Sequence, residues 1–182
     1  MSLIKQAGIG FVLTLVTTVT LSRTLAEVEK VEVVQRIPYS DGRVFPGIGS
    51  YERLIGRISY SIDPRSPVNQ TVIDLKRAPV NNQGRVEFRS DFEILCPVNR
   101  TKSNGTLLYD VNNRGNRRIL DYFNTAADEF LMRHGYIVVW SGWIAELLPG
   151  QSRLRLEVPQ VRQDGQLVVG TVRTEMVTDV ST

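Results

Sequence analysis

Thr106-Leu107-Leu108-Tyr109-Asp110-Val111-Asn112-Asn113-Arg114-Gly115-Asn116 opens the stretch that decides the architecture, and Gly135-Tyr136-Ile137-Val138-Val139-Trp140-Ser141-Gly142-Trp143 closes it. The first apolar run, to Val111, has the composition of a strand. Asn112 to Asn116 breaks it with turn residues, and a helix is expected to start at Asn116, where a side-chain amide can cap free backbone N–H groups. The helical segment stops at Gly135. Tyr136 to Trp140 is β-branched and aromatic throughout, the composition of a strand buried on both faces. Two strands joined through a helix form a βαβ unit. The expectation is a parallel pair, Leu107–Val111 with Tyr136–Trp140, at the centre of a sheet.

Upstream, from Val28 to Pro97, the pattern is antiparallel β. Val31 to Ile37 alternates in part, and Pro38-Tyr39-Ser40-Asp41-Gly42 is a turn. Ile55 to Ile62 alternates with period two, Val72-Ile73-Asp74-Leu75 reads as a short strand, and Asn81-Asn82-Gln83-Gly84 has hairpin-turn chemistry before Val86 to Leu95. The glycines between Gly42 and Gly56 supply turns and no phosphate loop, since Lys and Ser/Thr are missing from the pattern. Downstream, Pro149-Gly150 is a turn, Arg153 to Val158 alternates, and Asp164-Gly165 is expected to join it in a hairpin to a strand from Leu167 to Val177.

The chain of 182 residues is 42% hydrophobic and 23% charged, ordinary for one globular domain. Met1–Ala26 has the layout of an export signal: Lys5 before an uncharged run from Ala7 to Leu21, then small residues at Thr24 and Ala26. The run is short for a membrane span, which needs about 20 apolar residues. Cleavage after Ala26 and retention as an anchor both stay open, the second being the only membrane attachment the sequence offers. The expected location is secreted or periplasmic. Cleavage would remove Lys5 and Arg23 and no acid, leaving 20 basic residues against 19 acidic ones. A near-neutral surface argues against capture of nucleic acid. Arg114, Arg117 and Arg118 are the densest basic group, and Asp110 and Asp121 flank them, as on a solvated face beside a loop. Cys96, the single cysteine, sits among Ile94, Leu95 and Pro97 and reads as a small buried hydrophobe. Neither a metal site nor a cofactor motif is found. Asn69, Asn99 and Asn104 each begin an N-x-T triplet, a sugar acceptor where the host glycosylates and a loop residue where it does not.

Leu108 to Asn116, Phe130-Leu131-Met132-Arg133-His134-Gly135-Tyr136 and Trp140-Ser141-Gly142-Trp143 together resemble a largely uncharacterised family of bacterial alpha/beta hydrolase domain proteins. Pro38 to Gly42, Tyr51-Glu52-Arg53-Leu54 and Gly84 to Phe88 are similar to that family's N-terminal section. The resemblance implies an α/β fold: an N-terminal antiparallel β section, then the start of an α/β-hydrolase-like sheet, with residues 27–182 as the N-terminal part of a longer domain, cut short at Thr182. It also implies a serine hydrolase acting on an ester or related acyl bond, with a small ester-like substrate. Asn113, Arg114 and Gly115 would then form the oxyanion-hole loop, whose backbone N–H groups hold the negative oxygen of a tetrahedral intermediate.

Two departures weigh against that activity in this chain. A hydrolase of the class carries its nucleophile in G-x-S-x-G, followed by an acid and then a histidine. That motif is missing, and the serine nearest the second strand, Ser141, lies in Trp-Ser-Gly-Trp. His134, the one histidine, precedes any elbow and reads as a helix C-terminal residue suited to the dipole. Nucleophile, acid and base have no assigned positions. The alternative is a non-catalytic, secreted, β-rich binding or scaffolding module.

Overall fold

The computed structural model describes residues 26–124, 129–147, 150 and 152–170. The proposed signal, bar Ala26, lies outside them, as do Pro149 of the expected turn and Thr171–Val177 of the last expected strand.

Three long strands dominate: β1 (Glu27–Pro38), β3 (Gly49–Ile62) and β4 (Val86–Pro97). They pair antiparallel in chain order, as the alternating patterns require. A two-residue strand β2 (Val44–Phe45) folds back on the start of β3 through Pro46-Gly47-Ile48. The βαβ stretch supplies β5 (Leu107–Asp110), two helical turns α1 (Ile119–Phe123) and α2 (Phe130–Arg133), and β6 (Ile137–Ser141). Then come β7 (Leu156–Glu157), β8 (Arg162–Gln163) and β9 (Gln166–Leu167). One seven-stranded sheet results, in the order β1-β3-β4-β6-β5, with β2 on β3 and β7 on β4; β8 and β9 form a separate ribbon.

This architecture overturns the expected α/β-hydrolase-like class. The sheet is built by antiparallel neighbours, and β5–β6 is the one parallel pair among the described residues. Helices of five and four residues do not alternate with strands. The long period-two segments between Glu27 and Pro97 outweigh the single βαβ stretch, which attaches to the far side of β4 through antiparallel β6.

The parallel pairing of β5 with β6 is present, at register Leu108↔Val138 and Asp110↔Trp140. The central position is not. β5 is an edge strand, and Leu107 and Tyr109 are 57% and 48% exposed. The apolar run of β5 is half amphipathic: Leu108 and Asp110 face the core while Leu107 and Tyr109 face outward.

The helix begins at Ile119 rather than Asn116. Asn116 turns its amide back to the Asn113 carbonyl, and Asp110 Oδ2 accepts the Ile119 N–H from the end of β5. At its other end the segment stops as expected. Gly135, at φ +72°, lets its own N–H reach Met132 O and the Tyr136 N–H reach Leu131 O, the paired bonds of a Schellman turn.

Three further strand expectations fail. Val72-Ile73-Asp74 is a run of tight turns, with Asp74 left-handed at φ +58° and Val72 N–H bonded to Asn69 O. Between Arg153 and Val158 only Leu156–Glu157 pairs as strand; the Arg155 carbonyl takes the Asp91 N–H, but the Leu154 N–H turns away to Gly115 O. The Asp164-Gly165 turn does form a hairpin, but it joins β8 to β9 instead of reaching back to residues 153–158.

Residues directly opposite in a sheet share a face. Leu95, Val138 and Trp140 lie on the face against which α2 packs Leu131 and Met132. Phe45, Tyr51 and Leu154 complete that buried cluster. Tyr51 is its anchor, fully buried, edge-on to Phe45 at 5.6 Å, its hydroxyl donating to Tyr136 O at 3.1 Å. A smaller cluster of Ile62, Leu75 and Val86 closes one end of the sheet.

Candidate functional site

β5 and β6 are parallel, so their carboxyl ends lie side by side. The loop Asn112–Asn116 stands there beside Ser141. Its organiser is Asn112, which composition alone did not single out. Asn112 is 1% exposed; its amide Nδ2 donates to Ser141 O at 2.5 Å and its Oδ1 accepts the Gly115 N–H at 2.7 Å. Trp143 Nε1 donates to the Asn112 carbonyl at 2.8 Å. Both ends of one amide are therefore spent on fixing the loop to the end of β6, as a buried amide requires.

The three oxyanion candidates fall into unequal environments. Gly115 is buried at φ +80°, its N–H bonded to Asn112 and its carbonyl accepting Leu154 N–H at 3.1 Å. A Cβ there would stand 2.7 Å from Leu154 O, so the residue is glycine for both conformation and space. Asn113 and Arg114 are exposed, Arg114 left-handed at φ +49°. Asn113 and Asn116 bridge to each other. The loop thus forms a tight polar knuckle in which Gly115 is structural.

Next to it, the Tyr109 and Ser141 hydroxyls lie 2.6 Å apart. Ser141 has no imidazole within reach. His134 sits at the opposite end of β6, its ring tilted against Phe130 at 4.5 Å, as the residue that caps the C-terminus of α2. A five-residue strand separates the two, about 16 Å at ~3.3 Å per residue.

The basic group of Arg114, Arg117 and Arg118 divides as well. Arg118 makes an exposed pair with Asp121 at 3.6 Å, and Arg114 stands in solvent, as a solvated face requires. Arg117 instead turns inward to Glu93 at 3.1 Å and donates to Ser152 O at 3.0 Å. Glu93 is a buried carboxylate on β4, its side chain 4% exposed, and it also takes Arg53 in a two-point bond at 2.5 and 3.0 Å. That hydrogen bond pushes the Arg53 guanidinium pKa further up.

Cys96 is buried, and burial pushes its thiol up, away from the reactive thiolate. The N-x-T asparagines are fold residues. Asn69 is 3% exposed and donates to Asp63 O, Asn99 caps the Thr101 N–H, and Asn104 donates to His134 O.

No family model matches this chain, and no curated protein or solved structure matches it either.

Proposed function

We propose that this chain works by binding a protein partner through the open face of its sheet, the face turned away from α2. An antiparallel sheet with one wet face carries polar residues there. This one does not. Val31 and Val33 on β1 are 59% and 42% exposed, and Leu107 and Tyr109 on β5 are 57% and 48% exposed. Leu54, Ile94 and Val139, directly opposite one another on β3, β4 and β6, continue the apolar surface between them and are only half-buried. An apolar row across four adjacent strands, Leu54–Ile94–Val139–Tyr109, with Arg36 at its β1 end, is the mark of an interaction site. The carrying observation is this apolar row, flanked by the exposed Val31, Val33 and Leu107.

The partner chemistry follows from shape and rim. A twisted sheet takes an amphipathic helix, and Glu52 at one margin of this face is shared by Arg36 and Arg100, leaving one cation in excess. An apolar helical stripe with an acidic flank fits. The purified chain should bind an amphipathic helical peptide with acidic flanking residues more tightly than one with basic flanks. Val139→Asp should abolish binding without unfolding the protein. Equal binding by both peptides, or none, would remove the reading.

The loop at the carboxyl end of β5 favours a second reading, in which Asn113 and Arg114 offer donors to the oxyanion of an acyl-transfer reaction on an ester-like substrate. The described residues place no base beside Ser141, so this chain expressed alone should hydrolyse a chromogenic ester no faster than background. The leader reading supports export of either form, and mass spectrometry of exported protein should find Glu27 or a near neighbour as its first residue.

A further inference from the structure

On the face opposite the open one, beyond the rim of the α2-covered core, lies a groove of about 680 Å³. Its floor is charged: Arg53 and Arg57 from β3, Asp91 and Glu93 from β4. Val34 and Ile37 of β1 form one wall, and Arg117 with Ser152, Arg153 and Leu154 forms the other. The charges do not balance. Arg53 and Arg117 share Glu93, and Arg57 stands 3.6 Å from Asp91. Arg153 has no carboxylate partner among the described residues, and its Nε is buried with no hydrogen bond. Four guanidinium groups therefore face two carboxylates. In a groove walled by protein the surplus charge is poorly screened.

We propose that this groove binds a small organic anion, its oxyanion head on Arg153 and its apolar body against Val34, Ile37 and Leu154. A guanidinium presents parallel donors that match two oxygens of a carboxylate or phosphate. The surplus positive charge selects the head, and the aliphatic wall selects an organic body over a free inorganic ion. The site is independent of the sheet face proposed for partner binding.

The test is calorimetric titration of the purified full chain with benzoate, phenyl phosphate, inorganic phosphate and benzyl alcohol at low salt. Saturable binding is expected for benzoate or phenyl phosphate, at least tenfold tighter than for inorganic phosphate or benzyl alcohol. The tighter of the two aromatic anions identifies the head group. Arg153→Gln should weaken it tenfold or more with an unchanged circular dichroism spectrum. Where that variant fails to fold, Arg153→Lys, which keeps the charge and loses the fork, should weaken binding threefold or more. Failure of both aromatic anions to bind, inorganic phosphate binding as tightly as they do, or full affinity in the folded Arg153 variant would overturn the proposal.

Discussion

Trp140 Nε1 donates to Asp110 Oδ2 at 2.6 Å across the parallel β5–β6 pair. The same oxygen accepts the Ile119 N–H at 3.2 Å, so one carboxylate oxygen ties the edge strand to its inner neighbour and starts the helix that leaves it. Trp140 is 1% exposed, and water cannot replace the lost acceptor.

Asp110→Ala should therefore cost about 2–4 kcal/mol, combining an unsatisfied buried indole with a lost helix-start acceptor. Asp110→Asn keeps an oxygen in the same place and loses only the charge assistance, so it should cost less than half as much. Urea unfolding followed by Trp fluorescence measures both. Equal losses in the two variants would show that the charge, rather than the geometry, holds the strand end.

Gly56 is a point of close approach between β1, β3 and β4. A Cβ there would lie 2.0 Å from Glu32 O and 2.7 Å from the Phe92 ring. The Glu32 carbonyl is backbone and cannot step aside without lifting β1 off the sheet. Gly56→Ala should destabilise the protein by several kcal/mol, with increased hydrogen exchange along Glu27–Pro38 as the local signature. Wild-type exchange rates in β1 would contradict this account of the strand's seating.

The strand pattern of β1, β3 and β4 could be read from residues because alternation over 12 to 14 positions is a strong local signal. The Gly135 stop was equally local, since only a left-handed residue could end α2 there. What failed depended on partners far along the chain. Val72-Ile73 looks like strand until Asp74 adopts φ +58°, and Arg153–Val158 alternates correctly yet sends the Leu154 N–H to Gly115 O instead of a ladder. The edge position of β5 follows from β4 taking β6, a choice between strands of similar composition. Asn112 and Arg153 escaped notice for the same reason: each acquires its role from residues 29 or more positions away, Ser141 for one and the β3–β4 floor for the other.

Alkaline pH should unfold the protein through two buried groups. Burial pushes the Cys96 thiol above its ordinary value near 9.0, and pushes the Tyr51 phenol well above its ordinary 10.0, with Cys96 adding to the second shift. Both are neutral when buried, so the native state holds its protons more tightly than the unfolded chain. Stability from these groups is complete below pH 9 and falls as pH rises through 9 and then 10, where the unfolded chain ionises first. The urea midpoint should drop as pH rises through 9 and then 10, a range set by those two values. Tyr51→Phe should flatten the upper part of the curve while lowering stability at neutral pH by about 1 kcal/mol for the lost bond to Tyr136 O. An unchanged slope above pH 10 in that variant would point to another titrating group.

Val138 and Val139 are neighbours in sequence with opposite surroundings, and together they test the two faces of the sheet. Val138 is fully buried, opposite Leu95 and packed with Met132 and Trp140. A carboxylate there would be buried without a partner, so Val138→Asp should cost several kcal/mol and leave little folded protein at room temperature. Val139 stands opposite Ile94 and Tyr109 on the open face and is half-buried. An aspartate at 139 reaches water, so Val139→Asp should cost no more than about 1 kcal/mol, the scale of strand preference and lost packing on an exposed sheet. The same change should reduce binding of a fluorescent apolar-surface dye, because it places a charge in the middle of the exposed apolar patch. Thermal melts and dye titrations on the two variants give the answer together. A Val139→Asp protein as unstable as Val138→Asp would mean that the second face is covered within this chain, and the partner surface proposed for it would not exist.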